Sequence, residues 1–342
     1  MNRSPILVLR ALGLGDALTA VPALRSLRRR YPDRPLLLAG PVPVSDWLRR
    51  QGVVDAVLPL TGLDDPPPGR RLGRHIAVNL HGCGPQSHRL LIAGRPDELI
   101  AFDCPAAGVR TRSQWRTAEH EVRRWCRLIE DAGGQCDPSD LRLELPRLSA
   151  HPIDSNAPAG PAQTPGLADA VVLHPGAASG ARQWPPDRWA MVARTLVGYG
   201  FRIVLTGSTA ESHLCRVVAH RVEVGCINTS GSLSLDELAT VVASAKLLLS
   251  GDTGVAHLAT ALGCPSVTLF GPTPPDRWGP LIDPELHRVL YAGKGIGNPH
   301  ADQTDPDLLR ITVAEVVAAA LSLVSVGDSS KSQTALGRQG PD

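Results

Sequence analysis

Short apolar runs alternate along the chain with longer segments in which apolar residues recur every three or four positions. Runs of about four to eight apolar residues indicate buried strands, whereas the wider spacing indicates helices with one apolar face. Strands that alternate with helices are typical of a parallel sheet covered by helices. The pattern therefore predicts an α/β fold.

The alternation runs through two parts of the chain. In the first part, strands are expected at residues 6–10, 35–39, 55–60, 75–80 and 98–102, and helices at 16–30 and 117–132. In the second part, strands are expected at 170–174, 202–205, 226–228, 246–250 and 266–270, and helices at 186–199, 209–221, 234–244, 253–262 and 312–324.

A segment without periodicity separates the two parts. Residues 151–166, HPIDSNAPAGPAQTPG, are rich in proline, glycine, alanine and polar residues, which is typical of a linker. We therefore expect an N-terminal domain at 1–150 and a C-terminal domain at 167–311, then a helix at 312–326 and a disordered tail at 327–342. The expected architecture is two doubly wound, Rossmann-like parallel sheets facing a central cleft, with ligands at the carboxyl ends of the strands.

Composition indicates a folded protein without a strong overall charge. Of the 342 residues, 43% are hydrophobic and 20% are charged, and 35 basic against 33 acidic side chains leave a net charge of +2. Residues 1–150 carry 22 basic and 16 acidic side chains, whereas residues 151–342 carry 13 and 17. Near-neutrality with only 4% aromatic residues does not favour a nucleic-acid-binding protein.

The seven cysteines are scattered and never form a CxxC pair. We therefore expect reduced thiols, and neither a zinc site nor a disulfide scaffold. The apolar run before Arg10 is too short for a signal peptide. These features predict a cytoplasmic protein.

The loop after the first predicted strand contains the tetrapeptide GLGD at residues 13–16. Glycines here let the backbone approach a ligand, and the following helix N-terminus favours anions. The segment is not the GxGxxG dinucleotide fingerprint, because Leu18 takes the third glycine position, and this disfavours a nicotinamide enzyme. Asp16 fits two interpretations, the N-cap of its helix or a carboxylate that accepts a proton from a hydroxyl.

Residues 174–185, HPGAASGARQWP, follow the first predicted strand of the second domain. Backbone N–H groups of this loop, which includes Gly176 and Ala177, suit a diphosphate together with Ser179 and Arg182. The alternative is a flexible loop with a surface arginine. The chain contains neither GxxxxGKS nor GxxxxGKT, so a P-loop nucleotide hydrolase is excluded.

Residues 205–211, LTGSTAE, form another junction between a strand and a helix. Glu211 either bonds to ribose or base hydroxyls or complements the dipole of the next helix. Ser208, three residues earlier, belongs to the same candidate site.

Residues 250–257, SGDTGVAH, form the last such junction. Asp252 is a candidate N-cap, and the N–H groups of Thr253 and Gly254 suit an anion. His257 lies on the same helical face as Thr253 and is either a packed core histidine or part of the site. Four glycine-containing junctions at the carboxyl ends of strands together imply a nucleotide-like ligand.

Taken in order, these motifs resemble glycosyltransferase family 9, the heptosyltransferase-like enzymes of the GT-B fold. The resemblance rests on GLGD with the downstream VPAL, then HPGA and RQWP, then TGSTAE, and finally GDTGVAHLATALGCPSVTLFGPT. It covers residues 6–324. It implies an inverting, metal-independent transfer of a sugar from a nucleotide-diphosphate sugar to an acceptor hydroxyl, with no cofactor.

The resemblance also implies roles for individual residues. Asp16 matches the family's general base, and the N-terminal domain is expected to bind the acceptor. Glu211 matches an acidic residue near the nucleoside, Leu233 a side chain beside the base, and Asp252 a residue near the sugar. The cation nearest to the position of the family's lysine is Arg182, one residue further from the Trp-Pro pair. The full set expected at the donor is Gly15, Gly176, Ala177, Ser179, Arg182, Ser208, Glu211, Leu233, Asp252, Thr253, Gly254 and His257.

Donor sugar and acceptor stay open, although ADP-heptose is the family's best-known donor. The polar segment 79–89, with His81, Gln86, His88 and Arg89, either binds the acceptor or is a solvated loop. The acceptor is expected to be a saccharide, a glycolipid or a small metabolite, and the basic N-terminal half favours an anionic one. We expect a monomer with no nucleic-acid partner and at most peripheral contact with the inner face of the membrane.

Two alternatives to sugar transfer stay open on the sequence alone. Another GT-B nucleotide-sugar enzyme, such as an epimerase, would use the same donor site without needing Asp16 as a base. A catalytically silent sugar-nucleotide-binding protein is the other alternative, because the family's lysine is not at its usual position.

Overall fold

The predicted strands pair into two separate parallel sheets. The structure is a computed structural model that describes residues 4–145, 170–295 and 297–336. The chain divides into two compact units, Met1–Pro146 (unit 1) and Arg147–Asp342 (unit 2), and each contains one sheet. The predicted fold class, α/β with two doubly wound parallel sheets, is confirmed.

Unit 1 contains five strands and five α-helices within its described residues. In chain order they are β1 (Ile6–Leu9), α1 (Leu14–Thr19), α2 (Val21–Arg30), β2 (Leu36–Gly40), α3 (Val42–Arg50), β3 (Ala56–Pro59), β4 (Ile76–Asn79), α4 (Gln86–Ala93), β5 (Glu98–Ile100) and α5 (Glu121–Asp131). The strand order is β3-β2-β1-β4-β5 and every neighbouring pair is parallel. Ile6 in the central strand lies opposite Leu36 on one side and Ile76 on the other.

Unit 2 contains six strands and six α-helices within its described residues. In chain order they are β6 (Val171–His174), α6 (Pro186–Gly198), β7 (Ile203–Leu205), α7 (Ser212–Val222), β8 (Cys226–Asn228), α8 (Leu235–Ser244), β9 (Leu247–Gly251), α9 (Gly254–Leu262), β10 (Ser266–Phe270), α10 (Pro275–Trp278), β11 (His287–Tyr291) and α11 (Val313–Leu336). The strand order is β11-β10-β9-β6-β7-β8, again parallel throughout.

Each sheet has a point where the chain leaves a strand to one side and later returns on the other. In unit 1 this switch point lies between β1 and β4, and in unit 2 it lies between β6 and β9. Open parallel sheets bind ligands outside the carboxyl ends of their strands at such points. The loops after these four strands therefore define where a ligand is expected in each unit.

Several predicted boundaries are wrong at helices that contain or follow proline. The helix predicted at 16–30 is two helices, α1 and α2, and Pro22 stands in the first turn of α2, where a missing N–H costs nothing. The unpredicted α3 begins at Val42 and likewise has a proline, Pro43, in its first turn. The helix predicted at 117–132 begins at Glu121, because the imidazole of His120 caps its first turn.

The segment 79–89 is not a continuous polar loop. Its last four residues form the start of α4, which follows a cis peptide bond between Gly84 and Pro85. The edge strand β11 was also not predicted. At the C-terminus the helix runs on to Leu336 instead of ending near 326, so the predicted disorder is wrong for 327–336, and 337–342 lie outside the described residues.

Two further predictions concern cysteines and the linker. Cys126 in α5 forms a disulfide with Cys136, with 5.1 Å between the Cα atoms, so the expectation of uniformly reduced thiols is wrong for this pair. The pair was missed because only the turn after α5 brings the two residues together. The predicted linker at 151–166 lies outside the described residues.

Candidate active site

Asp16 lies at the carboxyl edge of the first sheet, in the first turn of α1. The residue that caps this helix is Gly13, so the N-cap interpretation of Asp16 is wrong. The Asp16 side chain is 32% exposed, and its Oδ1 lies 3.5 Å from Nη2 of Arg10. A carboxylate that is open on one side and faces a cation on the other can accept a proton from a bound hydroxyl. Gly15 is buried inside α1.

Arg10 follows β1 directly and is only 2% exposed. Its Nε and Nη2 donate to the main-chain carbonyl of Asp16 at 2.9 and 2.7 Å, and Nη2 also donates to Oγ1 of Thr19 at 3.1 Å. Its Nη1 donates to the carbonyl of Leu80, just beyond β4. The guanidinium therefore joins α1 to the end of β4 across the switch point. Sequence reasoning missed Arg10, although a charge at the end of an apolar run was visible.

The buried charge of Arg10 is balanced by α5. Oε1 of Glu121 accepts from Nη2 of Arg10 at 3.3 Å and from the indole of Trp125 at 2.9 Å. Arg124 donates to the other carboxylate oxygen of Glu121. The Arg10 guanidinium also lies 4.7 Å from the centre of the Trp125 ring. A buried ion pair needs such additional partners to offset the cost of desolvating both charges.

His81 lies two residues beyond β4, next to the same arginine. Its Nδ1 accepts from the main-chain N–H of Ala11 at 3.2 Å, so the neutral ring carries its proton on Nε2. Burial lowers the pKa of His81, and the Arg10 guanidinium lowers it further, while the Asp16 carboxylate acts in the opposite direction. His81 therefore presents a neutral N–H donor near Asp16.

The other three candidates for acceptor binding differ from His81. His88 is 0% exposed, accepts from the Asn79 amide at 3.1 Å and donates to the Phe102 carbonyl at 2.9 Å. It is a core residue and its predicted acceptor contact is wrong, because the buried ring has both nitrogens in use. Gln86 and Arg89 are exposed on α4, and Arg89 donates to the carbonyl of Ala106 at 2.7 Å.

In unit 2, Arg182 joins the loop after β6 to the end of β9. Its Nη1 donates to the main-chain carbonyl of Asp252 at 3.3 Å. Within the described part of the chain, its buried Nε has no hydrogen-bond partner. The predicted neighbours Arg182 and Asp252 are thus brought together, at the switch point of the second sheet.

Residues 299–302, which the sequence did not indicate as part of the site, contact the loop after β6. The Ser179 hydroxyl donates to the carbonyl of Pro299, and its predicted donation to a diphosphate stays a prediction. A Cβ on Gly180 would lie 1.6 Å from the carbonyl oxygen of Asp302, which is why only glycine fits there. Gly176 and Ala177 are buried at the start of the loop.

Residues 252–257 place polar groups at the start of α9. The N-cap of α9 is Thr253, so the N-cap prediction for Asp252 is wrong, and Asp252 is instead buried just before the helix. The N–H groups at the start of a helix favour an anion, although the N–H of Ala256 here donates to the carbonyl of Thr253 at 3.0 Å. His257 packs edge-on against Trp278 at 5.9 Å between ring centres, a neighbour that the sequence did not indicate.

Glu211 lies between the loops after β6 and β7. Its Oε2 accepts from the main-chain N–H and the hydroxyl of Ser208 at 2.7 and 2.8 Å, and lies 3.9 Å from Nε2 of His174. Its Oε1 would be 2.1 Å from a Cβ on Gly176. Burial lowers the pKa of His174, although the Glu211 carboxylate acts in the opposite direction. Glu211 therefore completes a capping box with Ser208 at the short 3-10 turn Thr209–Glu211, just before α7, and its contact with a nucleoside stays a prediction.

Leu233 is half-buried in the loop between β8 and α8. Two residues earlier, the N–H of Gly231 donates to the carbonyl of Gly207 at 2.8 Å. This bond brings the loop of Leu233 beside the loop of Glu211, so two of the predicted nucleoside contacts come from adjacent loops.

The described residues contain neither a metal-binding cluster nor a membrane-spanning helix. Over residues 4–145, 170–295 and 297–336, no group of three histidine, cysteine or acidic side chains is arranged to hold a metal ion. Over the same ranges, no helix combines the length and the apolar character needed to cross a bilayer.

Comparison with solved structures identifies the fold. Escherichia coli ADP-heptose lipopolysaccharide heptosyltransferase II matches with a TM-score of 0.74 at 21% identity, covering 95% of this chain and 99% of that chain. An E. coli heptosyltransferase solved with ADP-2-deoxy-2-fluoro heptose matches with a TM-score of 0.65 at 18% identity, covering 93% and 99%. The fold is therefore the GT-B fold of such glycosyltransferases.

Sequence comparison narrows the class to one family. The family model described as glycosyltransferase family 9 (heptosyltransferase) matches residues 106–291, which is more than half of the chain. Lipopolysaccharide heptosyltransferase 2 of E. coli (strain K12) is 25% identical over 306 residues, covering 81% of this chain and 85% of the relative. The chain belongs to glycosyltransferase family 9 and is a glycosyltransferase. The resemblance seen in its motifs is confirmed, and the alternatives of an epimerase and a silent binding protein are set aside.

Proposed function

We propose that this glycosyltransferase is an inverting enzyme that moves heptose from ADP-heptose to an acceptor hydroxyl, with Asp16 as the general base. The observation that carries the proposal is the partly exposed Asp16 carboxylate beside the buried Arg10, at the switch point of the first sheet. The donor is supported by the relative named lipopolysaccharide heptosyltransferase 2 and by the similar fold solved with a fluorinated ADP-heptose.

In the proposed reaction, the acceptor hydroxyl gives its proton to the Asp16 carboxylate. The acceptor oxygen then forms a bond to the anomeric carbon of the donor. The bond from that carbon to the diphosphate oxygen breaks, and its electron pair leaves with ADP. Attack on the face opposite the leaving group inverts the anomeric configuration.

The departing diphosphate needs positive charge, which unit 2 offers without a metal. Arg182 brings a guanidinium to the start of α9, whose first-turn N–H groups favour an anion. Fixed donors of this kind stabilise charge that develops on a leaving group. We expect transfer to continue in EDTA; transfer that stops in EDTA and returns with Mg²⁺ would contradict metal independence.

The acceptor is proposed to be an anionic saccharide or glycolipid. The support is the excess of basic side chains in residues 1–150, 22 against 16 acidic, and the Nε2–H of His81, which is available to a hydroxyl or phosphate oxygen. Transfer to an anionic acceptor should weaken as salt is raised, because screening shortens the reach of exposed charges. Equal, salt-independent transfer to a neutral acceptor would remove this part of the proposal.

The decisive experiment compares Asp16→Asn with Asp46→Asn. Asp46 is a suitable control because it lies on the surface of α3, paired with Arg49 and Arg50. With ADP-heptose and heptose-deficient lipopolysaccharide as substrates, Asp16→Asn should lose at least about 100-fold in kcat, the lower range for general bases, while ADP affinity is unchanged. Asp46→Asn should keep full activity. Wild-type turnover by Asp16→Asn would exclude Asp16 as the base.

A further inference from the structure

At the switch point of the first sheet, the dipeptide Arg10-Ala11 makes hydrogen bonds to both Asp16 and His81. The Arg10 guanidinium donates to the main-chain carbonyl of Asp16 through two nitrogens, at 2.9 and 2.7 Å. The main-chain N–H of Ala11 donates to Nδ1 of His81 at 3.2 Å. Arg10 also donates to the carbonyl of Leu80, the residue before His81. The end of β1 thus anchors Asp16 on one side and His81 on the other.

We propose that Arg10 is a positioning residue of the transfer reaction, which holds Asp16 and His81 at a set separation. The inference rests on the proposed function, since it matters only if Asp16 receives the acceptor proton. A general base has to lie within hydrogen-bond distance of the proton it takes, and a displacement of about 1 Å can cost a reaction about 100-fold.

The geometry of the hydrogen bonds explains why residue 10 is an arginine. Arg10 reaches carbonyls on two separate elements, α1 and the end of β4, with donors that point in different directions. A guanidinium has five donors in a rigid plane, whereas a lysine has three donors on one nitrogen. Lysine at this position would keep the charge but could not hold both carbonyls in the same geometry.

Stability alone does not account for a charge at this position. Arg10 and its partner Glu121 are both buried, and replacing a buried ion pair with well-packed apolar residues is often neutral or stabilising. The Trp125 indole and Arg124 are committed to holding Glu121 in place. This network makes Arg10 rigid, which is what a positioning role requires.

The test compares Arg10→Met and Arg10→Lys with Arg25→Met. Arg25 is the control because it is in the same unit and pairs with Asp140 at 2.7 Å, with no contact to Asp16. We expect Arg10→Met to lower kcat by about 100-fold with ADP-heptose and heptose-deficient lipopolysaccharide, and Arg10→Lys to recover part of it. The KM for ADP-heptose should stay within about twofold, because the proposed donor contacts of unit 2 are unchanged. Arg25→Met should lower only the melting temperature.

A purely structural role for Arg10 predicts a different result. Arg10→Met and Arg25→Met would then both lose stability, and both would keep kcat per folded molecule. That outcome would overturn the inference. If Arg10→Met does not fold, Glu121→Gln serves instead, since it keeps the side-chain shape while removing the charge that braces Arg10; kcat at the wild-type level in Glu121→Gln would equally overturn the inference.

A spectroscopic measurement of His81 tests the positioning role of Arg10 without any substrate. In ¹⁵N-histidine-labelled protein, His81 should show a single Nε2–H tautomer, because its Nδ1 accepts from Ala11. Loss of Arg10 should convert this signal to a mixture of tautomers, whereas Arg25→Met should leave it unchanged. An unaltered His81 signal in Arg10→Met would mean that Arg10 does not hold the His81 side of the site.

The inference and the proposed function fail in different ways. If Asp16→Asn is fully active, Asp16 is not the base and both fail. If Asp16→Asn is inactive while Arg10→Met keeps kcat, only the positioning role fails.

Discussion

The guanidinium of Arg182 donates a 3.3 Å hydrogen bond to the main-chain carbonyl of Asp252, although the two residues are 70 positions apart. The bond places a cation beside the first turn of α9, at the switch point of the second sheet. A cation beside the N-terminus of a helix forms an arrangement that favours an anion. This relationship leads to the first prediction.

Arg182→Ala should weaken binding of ADP much more than binding of adenosine. A hydrogen bond to a charged group contributes about 1.5–3 kcal/mol, so the affinity for ADP should fall by about 10- to 100-fold, measured by isothermal titration calorimetry. Arg194→Ala is the matched control, because Arg194 is exposed on α6. Equal losses for ADP and adenosine would show that Arg182 does not contact the diphosphate.

Gly176→Ala should disturb the nucleoside end of the donor site. A Cβ at this position would lie 2.1 Å from Oε1 of Glu211, so either the carboxylate or the loop has to move. We expect overpacking to cost about 1–3 kcal/mol in urea unfolding and adenosine affinity to fall with it. Gly198→Ala, at the end of α6 with open space around the new methyl group, should be neutral or stabilise by up to about 1 kcal/mol. Unchanged stability and affinity in Gly176→Ala would contradict the position of Glu211.

The protein should lose stability as the pH falls below the ordinary histidine value of 6.5. Burial lowers the pKa of His88 and of His174, so the native state binds fewer protons there than the unfolded state. The free energy of unfolding therefore rises with pH in this window and decreases as the pH falls through it.

Urea unfolding between pH 5 and pH 7.5 measures this slope. His88→Gln should reduce the slope, because one of the imidazoles whose pKa burial lowers is gone. Leu90→Ala is the control: Leu90 is buried on the same helix, so its truncation should destabilise by about 2–5 kcal/mol without changing the slope. A slope that is the same in all three proteins would show that His88 is not the cause.

Much of the fold could be predicted because its signals are local. Residues 6–9 are a continuous apolar run, and residues 171–173 are another that ends at His174; they form the strands β1 and β6. The helix α3 was harder to predict, since it starts after Pro41 and its pattern reads as a loop. The start of α4 was missed for a similar reason, because Pro85 and polar residues precede its apolar face.

The candidate site also has a part that could be predicted from the sequence and a part that could not. The loops that carry Asp16, Arg182 and Glu211 could be located from glycines that follow apolar runs. The partners of these residues could not, because Arg10 meets Glu121 from 111 positions away and Ser179 meets Pro299 from 120 positions away. His88 is an example of a wrong prediction. Its polar neighbours in the sequence suggest a ligand contact, and only the packing of the folded chain shows that it is buried.

The sequence by itself determined the alternation of strands and helices, the family and the loops at the carboxyl ends of the strands. These follow from hydrophobic spacing and from short motifs, which depend on neighbours within a few positions. The tertiary structure alone decided which polar groups are free to act and which are already committed. That outcome depends on long-range packing and on the need of every buried charge for a partner, as Arg10 shows at the end of β1.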